Sequence, residues 1–383
     1  MSGNKIRKLE VLLADALQQE ANIVVTAGGI QSNHCRATAV ACARLGLQCV
    51  LLQRVNGSHA ASQDPGYAGN LLLSRCAGAR IRLIDSGALS TADKTGQGLH
   101  AQAVMKRMVQ QFATSGRNAY PIPVGGSNAL GAIGYVQAAE EIMQQCSPGA
   151  GAASQPFPYT DIAVATGSGG TLAGLALGLH LAGCPARVHG LGVCDSPEYF
   201  YKYVDEHILP DMVASGCSVP SARDLFVVHD CSGLGYAQST DDEMQTMREA
   251  MAAAQVMLDP VYTNKAVHGL LRQMKLHAGR GAGEAGVFKG GKVLFIHTGG
   301  LFGLFGQGVD HTGRVGRNGG SLFPPSGAAE LGPTAGEAAT PQAAKAQASL
   351  PVLQVQMGPE EPMKLDASQA DVLDAPVATV ILT

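Results

Sequence analysis

The sequence predicts an α/β fold built from two open parallel-sheet domains. Three observations carry that reading. Short apolar runs alternate with longer amphipathic stretches over residues 8–296, the pattern of strands joined by crossover helices. Several of those runs end in glycine-rich turns that open a helix, the place where open α/β sheets bind ligands. A chain of 383 residues is also long enough to bury two cores.

The elements follow in order. Residues 8–19 put Leu9, Leu12, Leu13, Ala16 and Leu17 on one helical face. The apolar run Ile23-Val24-Val25 starts a strand over 23–26. The turn from Thr26 to His34, Thr-Ala-Gly-Gly-Ile-Gln-Ser-Asn-His, then leads into a helix over 35–45. Gly28 and Gly29 allow the tight turn, and Ser32 or Asn33 supplies an N-cap. Strand 49–53, helix 67–76, strand 81–84, helix 93–113 and strand 119–123 complete the first alternating block.

Val124-Gly125-Gly126-Ser127-Asn128 opens a second block with a helix over 131–145. Residues 147–159, rich in Pro, Gly, Ala and Ser, read as a loop. Strand 162–165, the turn Thr166-Gly167-Ser168-Gly169-Gly170-Thr171, helix 172–181 and strand 187–193 form a further βαβ unit. A helix near 197–213, a strand over 225–228 and helices over 241–257 and 265–275 follow. Strand 293–296 ends in His297-Thr298-Gly299-Gly300. Beyond about residue 309, Gly, Pro, Ala, Ser and Gln dominate, so residues 309–383 read as a flexible tail. Within it, residues 351–356 alternate apolar and polar side chains and could make one short strand.

Composition narrows the function classes. A formal net charge of −3 gives no electrostatic footprint for nucleic acid or a membrane surface. No apolar run reaches membrane-spanning length, and no basic segment followed by an apolar one suggests a signal peptide. The nine cysteines form no Cys-x-x-Cys pair and no Cys/His ligand spacing, so neither a metal nor a disulfide framework is expected. Reduced, intracellular thiols fit that pattern, with Cys35, Cys42 and Cys49 as small core residues.

The turn Thr166–Thr171 is the phosphate candidate: glycines between strand and helix expose backbone N–H groups, and a helix N-terminus favours an anion. A dinucleotide site competes with this, since Gly167 and Gly169 start such a fingerprint and Asp195 follows the next strand. That fingerprint, however, needs glycine where Leu172 stands. A plain glycine turn is the third reading.

Gly3-Asn4-Lys5, then a helix, then a strand ending in Gly29-Ile30-Gln31-Ser32-Asn33, resembles the fold-type II (tryptophan synthase β-like) pyridoxal-phosphate enzymes. Within them it is similar to the aminocyclopropane-carboxylate deaminase and D-cysteine desulfhydrase branch, over about residues 3–303. The resemblance implies pyridoxal 5'-phosphate between a smaller domain, 9–125, and a larger one, 1–8 with 126–308. It implies that Lys5 carries the cofactor, that Asn33 contacts its phenolic oxygen, and that Thr166, Gly167, Ser168, Gly169, Gly170 and Thr171 hold its phosphate. Ser32, Tyr236 and Tyr262 are the implied catalytic partners of Lys5, Gln31, Ser32, Asn33 and His34 the substrate-binding turn, and Thr263 and Thr298 the neighbours of the pyridine nitrogen.

Threonine at both 263 and 298, with His34, matches the desulfhydrases rather than the deaminases. The implied reaction is α,β-elimination of D-cysteine to pyruvate, hydrogen sulfide and ammonia. Aminocyclopropane-carboxylate deamination is the alternative within the branch, and a nucleotide-dependent oxidoreductase or a non-catalytic binding protein the alternatives outside it. A homodimer acting on a small amino acid is implied, in the mitochondrion or the cytoplasm. Relatives carry a further segment ahead of the lysine, and its absence here is read as a shortened chain or an alternative start.

Overall fold

The strand β1 (Ile23–Gly29) is buried along nearly its whole length, and the first sheet is built outward from it. A computed structural model describes residues 3–55, 64–85, 96–146, 156–212, 220–277, 288–306, 353–356 and 378–382. In chain order the first part contains α1 (Lys5–Gln18), β1, α2 (Asn33–Arg44), β2 (Gln48–Val55), α3 (Gly69–Cys76), β3 (Arg80–Asp85), α4 (Gly96–Thr114) and β4 (Ala119–Ile122). Its strands pair in parallel in the order β3-β2-β1-β4. Successive side chains point to opposite faces. Val24 and Leu51 therefore join Leu9, Leu12, Cys35 and Cys42 of α1 and α2, while Ile23, Val25 and Leu52 meet Ala101 and Met105 of α4.

The second part runs through α5 (Ala129–Cys146), β5 (Asp161–Thr166), α6 (Gly170–Leu181), β6 (Arg187–Gly192), α7 (Pro197–His207), α8 (Leu209–Met212), α9 (Ala222–Leu225), β7 (Val227–Asp230), α10 (Asp241–Ala254), α11 (Thr263–His277) and β8 (Val293–His297). Ile162 and Val164 pack under α5, α6 and α7; Ala163 and Ala165 face α10 and α11. Covered on both faces, the strands read as continuous apolar runs, as parallel sheets do. α6 is apolar nearly all round and is buried from Gly170 to Leu179.

The second sheet takes in part of the stretch 309–383, read from the sequence as a flexible tail with one possible short strand over 351–356. Two stretches of it are strands, β9 (Leu353–Gln356) and β10 (Ala378–Leu382). The sheet order is β7-β6-β5-β8-β10-β9, with Ala378 opposite both Val293 and Leu353. Ala-Thr-Val-Ile-Leu is strongly β-forming, and β8 offers it an edge that would otherwise be unpaired. The remainder of 309–383 lies outside the described residues, as do 147–155 of the expected loop and 93–95 of the expected helix.

Other boundaries move for local reasons. The helix expected over 197–213 is two, because Pro210 has no N–H to continue the first. A capping box between Ser221 and Asp224 makes residues 222–225 helical and pushes the following strand to Val227. Helix α10 stops at Ala254, since Gln255 takes a left-handed φ of 55°.

Behind the second sheet lies a chain of buried polar groups. Asp161 Oδ1 accepts from His189 Nε2 at 2.9 Å, and His189 Nδ1 pairs with His229 Nε2 at 2.9 Å. With Asp161 ionised, His189 carries its proton on Nε2, so its Nδ1 accepts from His229. Both rings stack on Phe288, at 4.0 and 5.4 Å between centroids. Burial, with the neighbouring His189 and His277, drives His229 down to about 3. A histidine held below its ordinary 6.5 contributes stability that is complete above 6.5 and lost as pH falls toward 3. Denaturant unfolding from neutral pH down to about 4.5 should show a slope of up to about 1.4 kcal/mol per pH unit for each proton taken up. His229→Gln should remove about one proton's worth of that slope; identical slopes in the two proteins would absolve His229.

Candidate active site

The carboxyl ends of both sheets face one cleft of about 710 Å³. Lys5 enters it from the first turn of α1. Its position is set from outside the helix: Asn4 N donates to Thr298 O at 3.1 Å, tying the start of α1 to the end of β8. Gly3 and Gly299 make that approach possible, since a Cβ on Gly299 would lie 2.6 Å from Gly3 Cα. Lys5 Nζ points at Gly125 O, 3.4 Å away. Burial lowers its ammonium to about 8. A substantial neutral fraction at physiological pH is what a carbonyl-directed nucleophile or a proton acceptor needs.

Lys8, three residues on, is the residue that sequence reasoning missed most plainly. Its side chain lies on the same face of α1 as Lys5 and is 1% exposed. Nζ donates to Gly125 O at 3.2 Å and Ser127 Oγ at 3.1 Å, and it has no ion-pair partner among the described residues. Burial, then the charge of Lys5, hold it well below the ordinary lysine range. The Thr166–Thr171 turn lies beside it: a Cβ on Gly170 would stand 2.9 Å from Lys8 Nζ and 2.8 Å from Ser127 Oγ. Ser168 and Ser127 share a hydrogen bond of 2.7 Å, and Thr171 Oγ1 accepts from Asn4 Nδ2 at 3.1 Å. A helix N-terminus, two serines and a buried amine with no carboxylate partner among the described residues could cradle a phosphate. The two residues that bring Lys8 here, Gly125 and Ser127, belong to a turn that gave no chemical signal in the sequence.

The β1–α2 turn supplies the opposite wall. Ser32 Oγ caps α2 by accepting from Cys35 N at 3.2 Å and still lines the cleft. Asn33 also lines it, its Oδ1 accepting from Asn70 Nδ2 at 3.0 Å. Thr26 Oγ1 donates to Ile122 O, so it accepts from His34 Nε2, at 2.8 Å in each case. His34 therefore carries its proton on Nε2, and burial with the two lysines keeps it neutral.

Gln31 is placed otherwise. Its Nε2 donates to Ala68 O and its Oε1 accepts from Asn70 N, so it braces α3 and does not line the cleft. Thr263 likewise turns away, its hydroxyl donating to Asp259 Oδ1 at 2.8 Å and accepting from Asp259 N at 2.7 Å. Thr298 remains at the cleft edge. Tyr236 and Tyr262 meet there, hydroxyl to hydroxyl at 2.9 Å, with rings edge-on. Burial and then Tyr236 keep the Tyr262 phenol well above its ordinary value, so it stays protonated.

Two further cleft residues had no motif to announce them. Cys194 Sγ lies 3.1 Å from Gly167 O and 3.0 Å from Asp195 Oδ2, its one proton serving either acceptor, and burial pushes its thiol well up, so it is not a thiolate nucleophile. Arg54, at the carboxyl end of β2, brings a cation whose charge is felt at Asp195 and Tyr199.

These residues fit pyridoxal phosphate: an amine near neutrality at Lys5, an anion cradle at Thr166–Thr171 with Lys8, and a carboxamide at Asn33. Comparison with known proteins agrees. The family described as pyridoxal-phosphate dependent enzyme matches residues 1–299. The bifunctional D-cysteine desulfhydrase/1-aminocyclopropane-1-carboxylate deaminase, mitochondrial, of Arabidopsis thaliana is 41% identical over 305 residues, 80% of this chain and 70% of its own. The D-cysteine desulfhydrase of Salmonella newport is 38% identical over 307 residues, 80% of this chain and 84% of its own. A crystal structure of an ACC deaminase homologue superposes with a TM-score of 0.62 at 34% identity, covering 79% of this chain and 81% of that one. The cradle is testable through Lys8. Lys8→Met should weaken pyridoxal phosphate binding by about ten- to a hundredfold, the range lost with a hydrogen bond to a charged group. In the cofactor-free protein it should leave the melting temperature unchanged or higher, because a buried amine is replaced by an apolar side chain of similar length. Unaltered cofactor affinity would remove Lys8 from the phosphate site.

Proposed function

The chain belongs to the pyridoxal-phosphate-dependent enzymes, and from that premise we propose that it is a lyase that breaks D-cysteine down by α,β-elimination. With one water consumed in the closing hydrolysis, the products are pyruvate, hydrogen sulfide and ammonia. The observation that carries this reading is the neutral wall of the cleft at Thr298, a hydroxyl that can hydrogen-bond the pyridine nitrogen without protonating it. Expelling a β-thiolate needs a weaker electron sink than opening a cyclopropane ring.

Lys5 would hold the cofactor, Asn33 would offer its phenolic oxygen a hydrogen bond, and the Thr166–Thr171 turn with Lys8 would take its phosphate. Bound there, pyridoxal phosphate supplies the electron sink for the pair left on Cα when that carbon loses its proton. Lys5 would also serve as the base, its lowered pKa suited to accepting the Cα proton near neutrality. Ser32 positions the substrate carboxylate. The paired hydroxyls of Tyr236 and Tyr262 face the leaving side, and Tyr262, protonated at neutral pH, donates to the departing sulfur. The choice of D-cysteine is supported by the Salmonella and Arabidopsis relatives at 38% and 41% identity.

A second reading, 1-aminocyclopropane-1-carboxylate deamination, is favoured by one observation, the two activities in the name of the Arabidopsis relative. Thr263, buried against Asp259, contributes to either reaction only through that loop. We read the assembly as a homodimer and the compartment as mitochondrial or cytoplasmic; no helix among the described residues is long and apolar enough to cross a membrane.

Turnover of D-cysteine, L-cysteine and 1-aminocyclopropane-1-carboxylate by one preparation loaded with pyridoxal phosphate decides among these. Sulfide and pyruvate should appear in equal amounts from D-cysteine. Lys5→Ala should cut the rate by at least about a hundredfold, the scale of losing a positioned base. Preference for the cyclopropane substrate, with the oxobutanoate product of ring opening, would overturn the D-cysteine reading.

A further inference from the structure

Asn70 stands in α3, 1% exposed and outside the cleft lining, yet every polar atom of its side chain is engaged. Arg36 Nε, which can only donate, points at Asn70 Oδ1 from 3.1 Å. That fixes which end of the Asn70 carboxamide is which. Its Nδ2 must face the β1–α2 turn, where it donates to Gln31 O and to Asn33 Oδ1, both at 3.0 Å. Its backbone N–H also donates to Gln31 Oε1 at 2.9 Å, so α3 and the turn are locked together. Arg36 is in turn held over the Phe302 ring, 4.9 Å from its centroid.

We propose that Asn70 is a positioning residue that fixes the sense of the Asn33 carboxamide, so that Asn33 presents its N–H, and not its C=O, to the phenolic oxygen of the bound cofactor. A carboxamide is nearly symmetric in shape, and its two orientations differ only in which group faces the cleft. With Oδ1 taken by Asn70, the Asn33 amino group is the end left for the cleft. The polarity runs one way, from Arg36 through Asn70 and Asn33 to the site, because a guanidinium cannot accept. Reversed, the chain would set a carbonyl oxygen against an oxygen bearing negative charge. The inference rests on the Asn33–cofactor contact given under Proposed function and is independent of the substrate.

Asn70→Asp reverses the chain with almost no change in size. The new carboxylate still accepts from Arg36 but cannot donate, so Asn33 turns its amino group toward it and its carbonyl to the cleft. The holoenzyme variant should bind pyridoxal phosphate about ten- to a hundredfold more weakly. The pH midpoint of its visible absorption band should move by at least about one unit, a tenfold change in the protonation equilibrium. In the cofactor-free form its melting temperature should change little, the lost bond to Gln31 O being offset by a charge-assisted one from Arg36. In an Asn33→Ala background, Asn70→Asp should change the cofactor's dissociation constant by less than about twofold, because the two residues act as one unit. Equal losses in both backgrounds would show Asn70 acting through general stability and overturn the proposal. So would an unmoved band in Asn70→Asp alongside a moved one in Asn33→Ala. An unmoved band in Asn33→Ala would instead sink the Asn33–cofactor contact, and this inference with it. If Asn70→Asp does not fold, Arg36→Gln serves. Glutamine can accept as well as donate, so the sense is no longer fixed, and the midpoint should shift in the same direction by less; an unmoved midpoint overturns the proposal.

Discussion

Two lysine amines, Lys5 and Lys8, converge on a single carbonyl oxygen, that of Gly125, with no carboxylate paired to either among the described residues. Burying one ammonium is costly, and burying two side by side is costlier. The protein relieves that cost by lowering both pKa values, which leaves one amine ready to react and the other ready to meet an anion. The arrangement explains why position 170 of the Thr166–Thr171 turn is a glycine. Any Cβ at Gly170 would collide with Lys8 and Ser127.

The rest of the fold holds that pair in place. α1 packs its Leu9, Leu12 and Leu13 face into the first sheet's core, while its first residues are tied to the end of β8 in the second. Lys5 thus sits where the two sheets meet, and both glycine turns that flank it lie at carboxyl ends of central strands. The opposite wall is set by hydrogen bonds whose direction is fixed by donor-only or acceptor-only groups: Ile122 O orients Thr26 and then His34, and Arg36 orients Asn70 and then Asn33.

Much of this was legible in the sequence where periodicity was strong. α1, β1, α2 and the βαβ unit around Thr166 follow from apolar spacing, and Ser32 was readable as a cap because its neighbours are local. Lys5 was not legible from composition, since an isolated lysine near a chain start is usually solvated; only the motif around it singled it out. Lys8 was hidden for the same reason, although its spacing of three from Lys5 placed both on one helical face. Asn70 had no signal at all, because its partners lie 34 to 39 residues away. Gln31 and Thr263 were placed by motif, but motifs fix positions and not rotamers, and both side chains turn to brace neighbouring loops. The strand β10 was obscured by its short length and by the Gly/Pro/Ala-rich composition around it, whereas β9 falls within the alternating stretch 351–356.

The account turns on a division of labour between two neighbouring amines, with Lys5 bonded to the cofactor and Lys8 to its phosphate. Borohydride reduction of the holoenzyme, followed by peptide mass mapping of residues 1–20, reads that division directly. The account predicts the reduced pyridoxyl group on Lys5 with Lys8 unmodified. A pyridoxyl group on Lys8, or on a lysine outside α1, would contradict it.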